Sequence, residues 1–135
     1  MSVMDMFSLK GKVALVIGGS KGLGEGIAMG LVEAGAAAVV SSRNQADCDK
    51  AANGITEKTG GQCYGISADI STKDGVDALV EKVIDKLGHI DILVNSAGVN
   101  IRKPAIEYTV EDWDKVQDVQ LKGVFLACQA VGKHM

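Results

Sequence analysis

Lys12 to Ala34 reads KVALVIGGSKGLGEGIAMGLVEA, and in it an aliphatic run passes through a glycine-rich turn into helical periodicity without a break. Lys12–Ile17 is short, rich in Val, Ile and Leu, and bounded by glycines, which predicts a buried parallel strand. From Gly22 the period changes: Leu23, Ile27 and Leu31 recur every fourth residue with Ala28 and Val32 beside them, predicting a helix with that apolar face. Gly35 stands where such a helix stops.

Strand, glycine turn and helix together suit a pyrophosphate, because a helix start offers unpaired N–H groups and the positive end of its dipole. The glycines have separate expected tasks. Gly18 permits a sharp exit from the strand, Gly22 leaves room for phosphate oxygens near the backbone, and Gly24 lets the helix pack closely on the sheet. The spacing is G-x-x-x-G-x-G rather than G-x-G-x-x-G, and no Gly-Lys-Ser/Thr follows, so a P-loop is excluded. Read alone, the turn is equally compatible with a purely packing role.

Outward from this unit the pattern repeats. Ala36–Ser41 predicts a second buried strand, followed by Ser42, Arg43 and the N-cap residue Asn44. The next helix runs to about Thr59 with Cys48, Ala51, Ala52 and Ile55 on one face and glycines at its end. Gln62–Ala68 predicts a third strand closed by Asp69, and Ser71 with Asp74 has the spacing of a capping box. Val76, Leu79, Val80, Val83, Ile84 and Leu87 then mark the clearest amphipathic helix, ended by Gly88. Ile90–Asn95 predicts a fourth strand, Ser96–Glu107 a loop, and Thr109 with Asp112 the cap of a last helix with Trp113, Val116, Val124, Ala127 and Val131 along one side. Alternation of this kind implies an α/β fold, a doubly wound parallel sheet in the order 3-2-1-4 with ligands above the carboxyl ends of strands 1 and 4.

Composition bounds the function. The 135 residues are 47% hydrophobic, with 17 Gly and 1 Pro, enough for a core and unlike a disordered chain. A net charge of −3 without a Lys/Arg cluster argues against nucleic acid as a partner. No apolar run approaches the roughly 18 residues that span a bilayer, and the start, MSVMDMFSLKGK, lacks a signal pattern, so the expectation is a soluble cytoplasmic protein. Phe7 and Leu9 in this lead-in are expected to cover the edge of the core. Cys48, Cys63 and Cys128 have no metal-ligand spacing and read as buried free thiols.

Taken together, these motifs resemble the short-chain dehydrogenase/reductase family over most of the chain. Ile17–Gly24 is similar to the family's T-G-x-x-x-G-x-G with Ile17 at the Thr position, Asn95-Ser96-Ala97-Gly98 resembles its N-N-A-G, and DVQLKG resembles the V-N-L-K-G of its fourth long helix, with Gln120 at the active-site Asn position. The resemblance implies a Rossmann-type fold and a cofactor site made of Gly18, Ser20, Lys21, Gly22, Leu23, Gly24, Ser42, Arg43, Asp69, Ile70, Asn95, Ala97 and Gly98, with Asp69 on adenine. It also implies a small-molecule carbonyl or alcohol substrate and a homo-oligomer joined through the helix containing Gln120. The loop SAGVNIRKPAIEYTVEDW resembles those of gluconate 5-dehydrogenases, where Arg102 or Lys103 would attract a sugar-acid carboxylate.

Two departures stand out. Gln120 is one methylene longer than Asn, which displaces its amide from where the family's water relay needs it. The family's catalytic Ser and Tyr-x-x-x-Lys are not found: Tyr64 is followed four residues later by Ala68, and Tyr108 by Asp112. The chain ends before the expected fifth strand, so residues 1–135 are read as the N-terminal portion of a longer domain, unable to turn over substrate alone; an isolated fragment would self-associate through the open edge of strand 4. The rival reading is a naturally short, non-catalytic nucleotide-binding or dimerisation module. For the cofactor, Ser42 stands 18 residues after Gly24, where NAD-binding proteins place an acid about 20 residues on. Arg43 follows it and Lys21 lies in the turn, which favours NADP(H) over NAD(H).

Overall fold

The computed structural model describes residues 1–135. Strands β1 (Val13–Ile17), β2 (Ala37–Ser41), β3 (Cys63–Gly65) and β4 (Ile92–Asn95) form one parallel sheet in the order β3-β2-β1-β4, as the alternation predicts. Ile17 pairs with Ser41 on one side and Asn95 on the other, so three strands end at one level and their loops gather there. β3 is shorter than its sequence suggests, but its ladder continues as single bonds from Ile66 N–H to Val40 O (3.1 Å) and Ala68 N–H to Ser42 O (2.9 Å).

Strand alternation sorts the core into two layers. Ala14, Val16, Ala38 and Val40 face α1 (Gly22–Glu33) and α2 (Gln45–Thr59), meeting Ala28, Val32, Ala51, Ala52 and Ile55. Val13, Leu15, Ile17 and Val39 face the other way, toward α3 (Lys73–Leu87) and α5 (Val124–Gly132). Each fully buried large residue, such as Leu15 or Leu79, contributes about 1.5 to 3 kcal/mol.

The structure corrects part of the expected face of α1. Leu23 is 84% and Ile27 42% exposed, while Gly24, Ala28 and Val32 are buried. The sheet beneath carries Ala14 and Ala38, and the helix lies against it on Gly24, Ala28 and Val32, which turns Leu23 and Ile27 outward while Leu31 still packs at the edge of this layer.

Helix caps follow the expected residues with one shift. Asn44 Oδ1 accepts from Asp47 N–H at 3.1 Å, and Thr109 with Asp112 closes a full capping box at the start of α4 (Val110–Gln117). α3 is capped by Thr72, whose Oγ1 accepts from Gly75 N–H at 3.1 Å, and not by Ser71, which is engaged by Asp69. Gly60 and Gly88 end their helices in the left-handed conformation.

The last helix is not continuous. A wider π-type turn over Asp118–Gly123 separates α4 from α5, and its extra residue per turn breaks the 3.6 period across it. Val119, Ala127, Ala130 and Val131 are therefore the buried positions, Val124 is half-buried, and Trp113 is 60% exposed. Two smaller expectations also change. Phe7 is exposed while Leu9 is tied by its N–H to Ala34 O (2.8 Å), and Cys128 is exposed while Cys48 and Cys63 are buried free thiols. Burial raises the Cys63 thiol to about 11, so it stays protonated at neutral pH. No helix is long and apolar enough to cross a membrane.

Candidate functional site

The loops after β1, β2 and β4, together with the segment beyond β3, enclose a cleft of about 390 Å³ at the carboxyl end of the sheet. Its wall between β1 and β4 is set by Gly18, which has φ +81° and lies so close to the backbone of Ser96 and Ala97 that a Cβ there would collide with both. Gly18 N–H donates to Ser41 O (2.8 Å) and Ser96 N–H to Ile17 O (2.8 Å), pinning the turn between its neighbours. Ile17, at 2% exposure, does this by packing in the core, where a hydroxyl is not needed.

The turn then enters α1 without a cap. Lys21 at the N-cap makes no side-chain bond to the helix, and the N–H groups of Gly22, Leu23 and Gly24 have no hydrogen-bond partner in the chain. Gly22 has φ +57° with open space around it. A Cβ on Gly24 would strike the carbonyl of Gly18, so this glycine lets the turn fold back on the helix start; close packing of the helix on the sheet is not what requires it.

On the β2 side, Ser42 is engaged: its N–H donates to Cys48 Sγ (3.2 Å), and its Oγ lies 3.2 Å from the same sulfur. Ser41, 1% exposed, has a hydroxyl with no partner and lines the cleft. Arg43 makes no ion pair and is exposed to the cleft. Asp69 Oδ1 accepts from both N–H (2.9 Å) and Oγ (2.6 Å) of Ser71. These bonds, with a smaller contribution from Arg43, hold its carboxyl below the usual range and leave Oδ2 without a partner in the chain. The neighbouring Ile70 N–H is also unpaired, while the Ile70 side chain is buried.

Of the residues singled out in the sequence, Gly18, Ser20, Lys21, Ser42, Arg43, Asp69, Ile70, Ala97 and Gly98 line this one cleft. Gly22 and Leu23 are exposed at its side and Gly24 is buried beneath the turn. Asn95 is not in the lining; its amide donates to Cys128 Sγ at 3.6 Å. Gln120 lies in the π-type turn, and its Oε1 accepts from Val99 N–H at 3.3 Å, so the longer side chain reaches the loop after β4. Neither tyrosine lines the cleft: Tyr64 lies under Lys86, 4.4 Å from its ring centre, and Tyr108 stands just before α4. Lys103 pairs with Asp112 at 2.6 Å, which leaves Arg102 as the cation of that loop without an ion pair.

One residue escapes sequence reading altogether. Asp47, in the first turn of α2, lines the cleft and pairs with Lys21 at 3.2 Å. The charged groups of the cleft are thus Lys21, Arg43, Asp47 and Asp69, two of each sign.

A family model described as short chain dehydrogenase matches residues 12–135. The chain belongs to the short-chain dehydrogenase family. Among its relatives, 2-dehydro-3-deoxy-D-gluconate 5-dehydrogenase of Escherichia coli K12 is 38% identical across 98% of this chain and 51% of its own length. Gluconate 5-dehydrogenase of Gluconobacter oxydans is 38% identical across 100% of this chain and 52% of its own. L-sorbose reductase from Gluconobacter frateurii, solved with NADPH and L-sorbose, superposes with a TM-score of 0.89 at 32% identity, covering 96% of this chain and 49% of that one. The chain spans about half the length of the curated relatives it matches.

Proposed function

We propose that these 135 residues are the cofactor-binding portion of an NADP(H)-dependent oxidoreductase that interconverts a carbonyl and a secondary alcohol, with sugar acids as the substrate class. The observation that carries this reading is the start of α1: three unpaired N–H groups at a positive helix end, opening beside a cleft that also holds Arg43 and Asp69. The glycine cradle fits a dinucleotide, since side chains at Gly18 or Gly24 would fill or deform it. The names of the relatives support the sugar-acid class, and the NADPH bound to the sorbose reductase supports the cofactor.

Each residue then has a physical task. Gly22, Leu23 and Gly24 donate N–H bonds to the pyrophosphate, with the helix dipole favouring its charge. Asp69, whose Oδ1 is occupied by Ser71, would use Oδ2 to accept from the adenine amino group, and the unpaired Ile70 N–H would be available to the same ring. Arg43 meets the ribose 2′-phosphate with its planar fork. Ala97 and Gly98 present backbone without bulk where the nicotinamide half passes, and Gln120 fixes that loop by holding Val99 N–H. A bound nicotinamide would supply the hydride chemistry that links the alcohol and carbonyl carbons.

The accompanying proton needs a hydroxyl of tuned acidity beside the substrate oxygen, and no tyrosine or histidine lines the cleft. The 135 residues alone are therefore proposed to bind cofactor without turnover. The test is to purify these residues and the complete gene product and follow reduced nicotinamide with NADP⁺ and gluconate or 2-dehydro-3-deoxygluconate. Turnover by the complete protein alone is the expected result. Activity in the 135 residues contradicts the division of labour, and absence of cofactor binding by either contradicts the whole reading.

A further inference from the structure

Lys21, at the start of α1, and Asp47, in the first turn of α2, meet across the rim of the cleft, Nζ to Oδ2 at 3.2 Å. Asp47, four residues beyond the exposed Arg43, is carried on a fixed point: its own N–H is held by Asn44 Oδ1, the cap of α2. A carboxylate in the first turn is favoured by the helix dipole with or without a cation opposite, so Asp47 does not depend on Lys21. Lys21 is 77% exposed, and a pair this open is weak and readily exchanged.

These facts change what the cleft offers a second anion. Of its two carboxylates, Asp69 is turned to Ser71, whereas Asp47 occupies a cation. We propose that Asp47 is a specificity-determining residue that weakens binding of the ribose 2′-phosphate and so narrows the preference for NADPH over NADH. The inference rests on the nucleotide reading of the cleft. Asp47 lines the same cleft as Arg43, so a 2′-phosphate approaching Arg43 enters a site that also carries the Asp47 charge and must compete with it for Lys21. NADH lacks that phosphate and is indifferent to both. Removing the charge while keeping the shape, Asp47→Asn, lifts the repulsion and releases Lys21.

Calorimetric titration of NADPH, NADH and 2′,5′-ADP into wild type and Asp47→Asn tests this. One like-charge contact at the solvent-exposed edge corresponds to roughly a threefold to tenfold gain in affinity for NADPH and 2′,5′-ADP, with NADH within about twofold. The gain should shrink as salt is raised, and should be smaller in a Lys21→Gln background, where no cation remains to be released. Asp47→Ser, which suits a helix start, repeats the measurement if the amide variant folds poorly. Unchanged NADPH affinity, or an equal gain for NADH, overturns the role of Asp47 while leaving the nucleotide site standing. Failure of wild type to bind any of the three ligands overturns both.

Discussion

The starts of α1 and α4 have opposite fates. α4 opens with Thr109 and Asp112 exchanging bonds with the backbone, and α2 and α3 open under Asn44 and Thr72. α1 opens with Lys21 extended and no side chain returning to Gly22, Leu23 or Gly24. All four face the same electrostatic problem, unpaired N–H groups at a positive end. In three of them a capping side chain accepts from the third of these N–H groups. The fourth leaves all three N–H groups open beside the cleft, and glycines keep the approach clear. A helix start that lacks its cap beside a cleft lined with Arg43 and Asp69 is best explained by an anionic ligand that completes it.

The comparison can be broken most forcefully at Gly18. Gly18→Val forces a branched side chain into positive φ and into the Ser96–Ala97 backbone, so a loss of at least about 2 kcal/mol in stability is expected, together with loss of measurable cofactor binding. Denaturant unfolding and calorimetry check both. Stability within error of wild type would mean that the turn has another way to fold.

A sharper test separates charge from cradle. Arg43→Ala should weaken NADPH by roughly tenfold to a hundredfold and leave NADH nearly unchanged, because one charge-assisted bond to the 2′-phosphate is lost. Ser42→Asp with Arg43→Ala should reverse the order of the two cofactors. Equal losses for both would move Arg43 from recognition to structure.

The capped starts should behave in the opposite way. Thr109→Ala removes a cap and should lower stability by about 1 kcal/mol with cofactor affinity within twofold, whereas Lys21→Ala should leave stability within about 0.5 kcal/mol. A large stability loss for Lys21→Ala, read by denaturant unfolding, would show that α1 has a hidden cap.

How much of this was legible in the sequence depends on distance along the chain. Gly18, Gly22 and Gly24, the caps Asn44 and Thr109, and the stops Gly60 and Gly88 act within a few residues of themselves, so local spacing reveals them. Strand order followed from alternation and handedness. The buried face of α1 followed only in part: Ala28, Val32 and the flanking Leu31 pack as their spacing suggests, but Leu23 and Ile27 turn outward because Gly24-Ala28-Val32 has the same period and the choice is made by Ala14 and Ala38 on strands elsewhere. The π-type turn defeats any extrapolation of 3.6 from Trp113 to Val124. Asp47 meets Lys21, and Gln120 meets Val99, only once the loops have gathered, and no local signal marks either.

The smallest expected effect concerns pH. Asp69 has its carboxyl lowered chiefly by the Ser71 bonds, so the ionised form is favoured in the folded state. Its contribution to stability is fully present above the unfolded value of 3.8 and is lost as pH falls through the lower native value. Ser71→Ala should therefore be less stable than wild type above that value, and the difference should close as acid is added. A difference that persists unchanged into strong acid would assign it to the loop and not to the carboxylate.

The proposed function requires that a pyrophosphate complete the N–H groups at the start of α1. Backbone-resolved NMR during titration with NADPH addresses this directly. Saturable shifts and slowed exchange at the Gly22, Leu23 and Gly24 amides are predicted, with the amides of Gly75 and Asp112 at the capped starts of α3 and α4 unmoved. Binding that leaves Gly22, Leu23 and Gly24 unperturbed, or that perturbs all these starts alike, would contradict it.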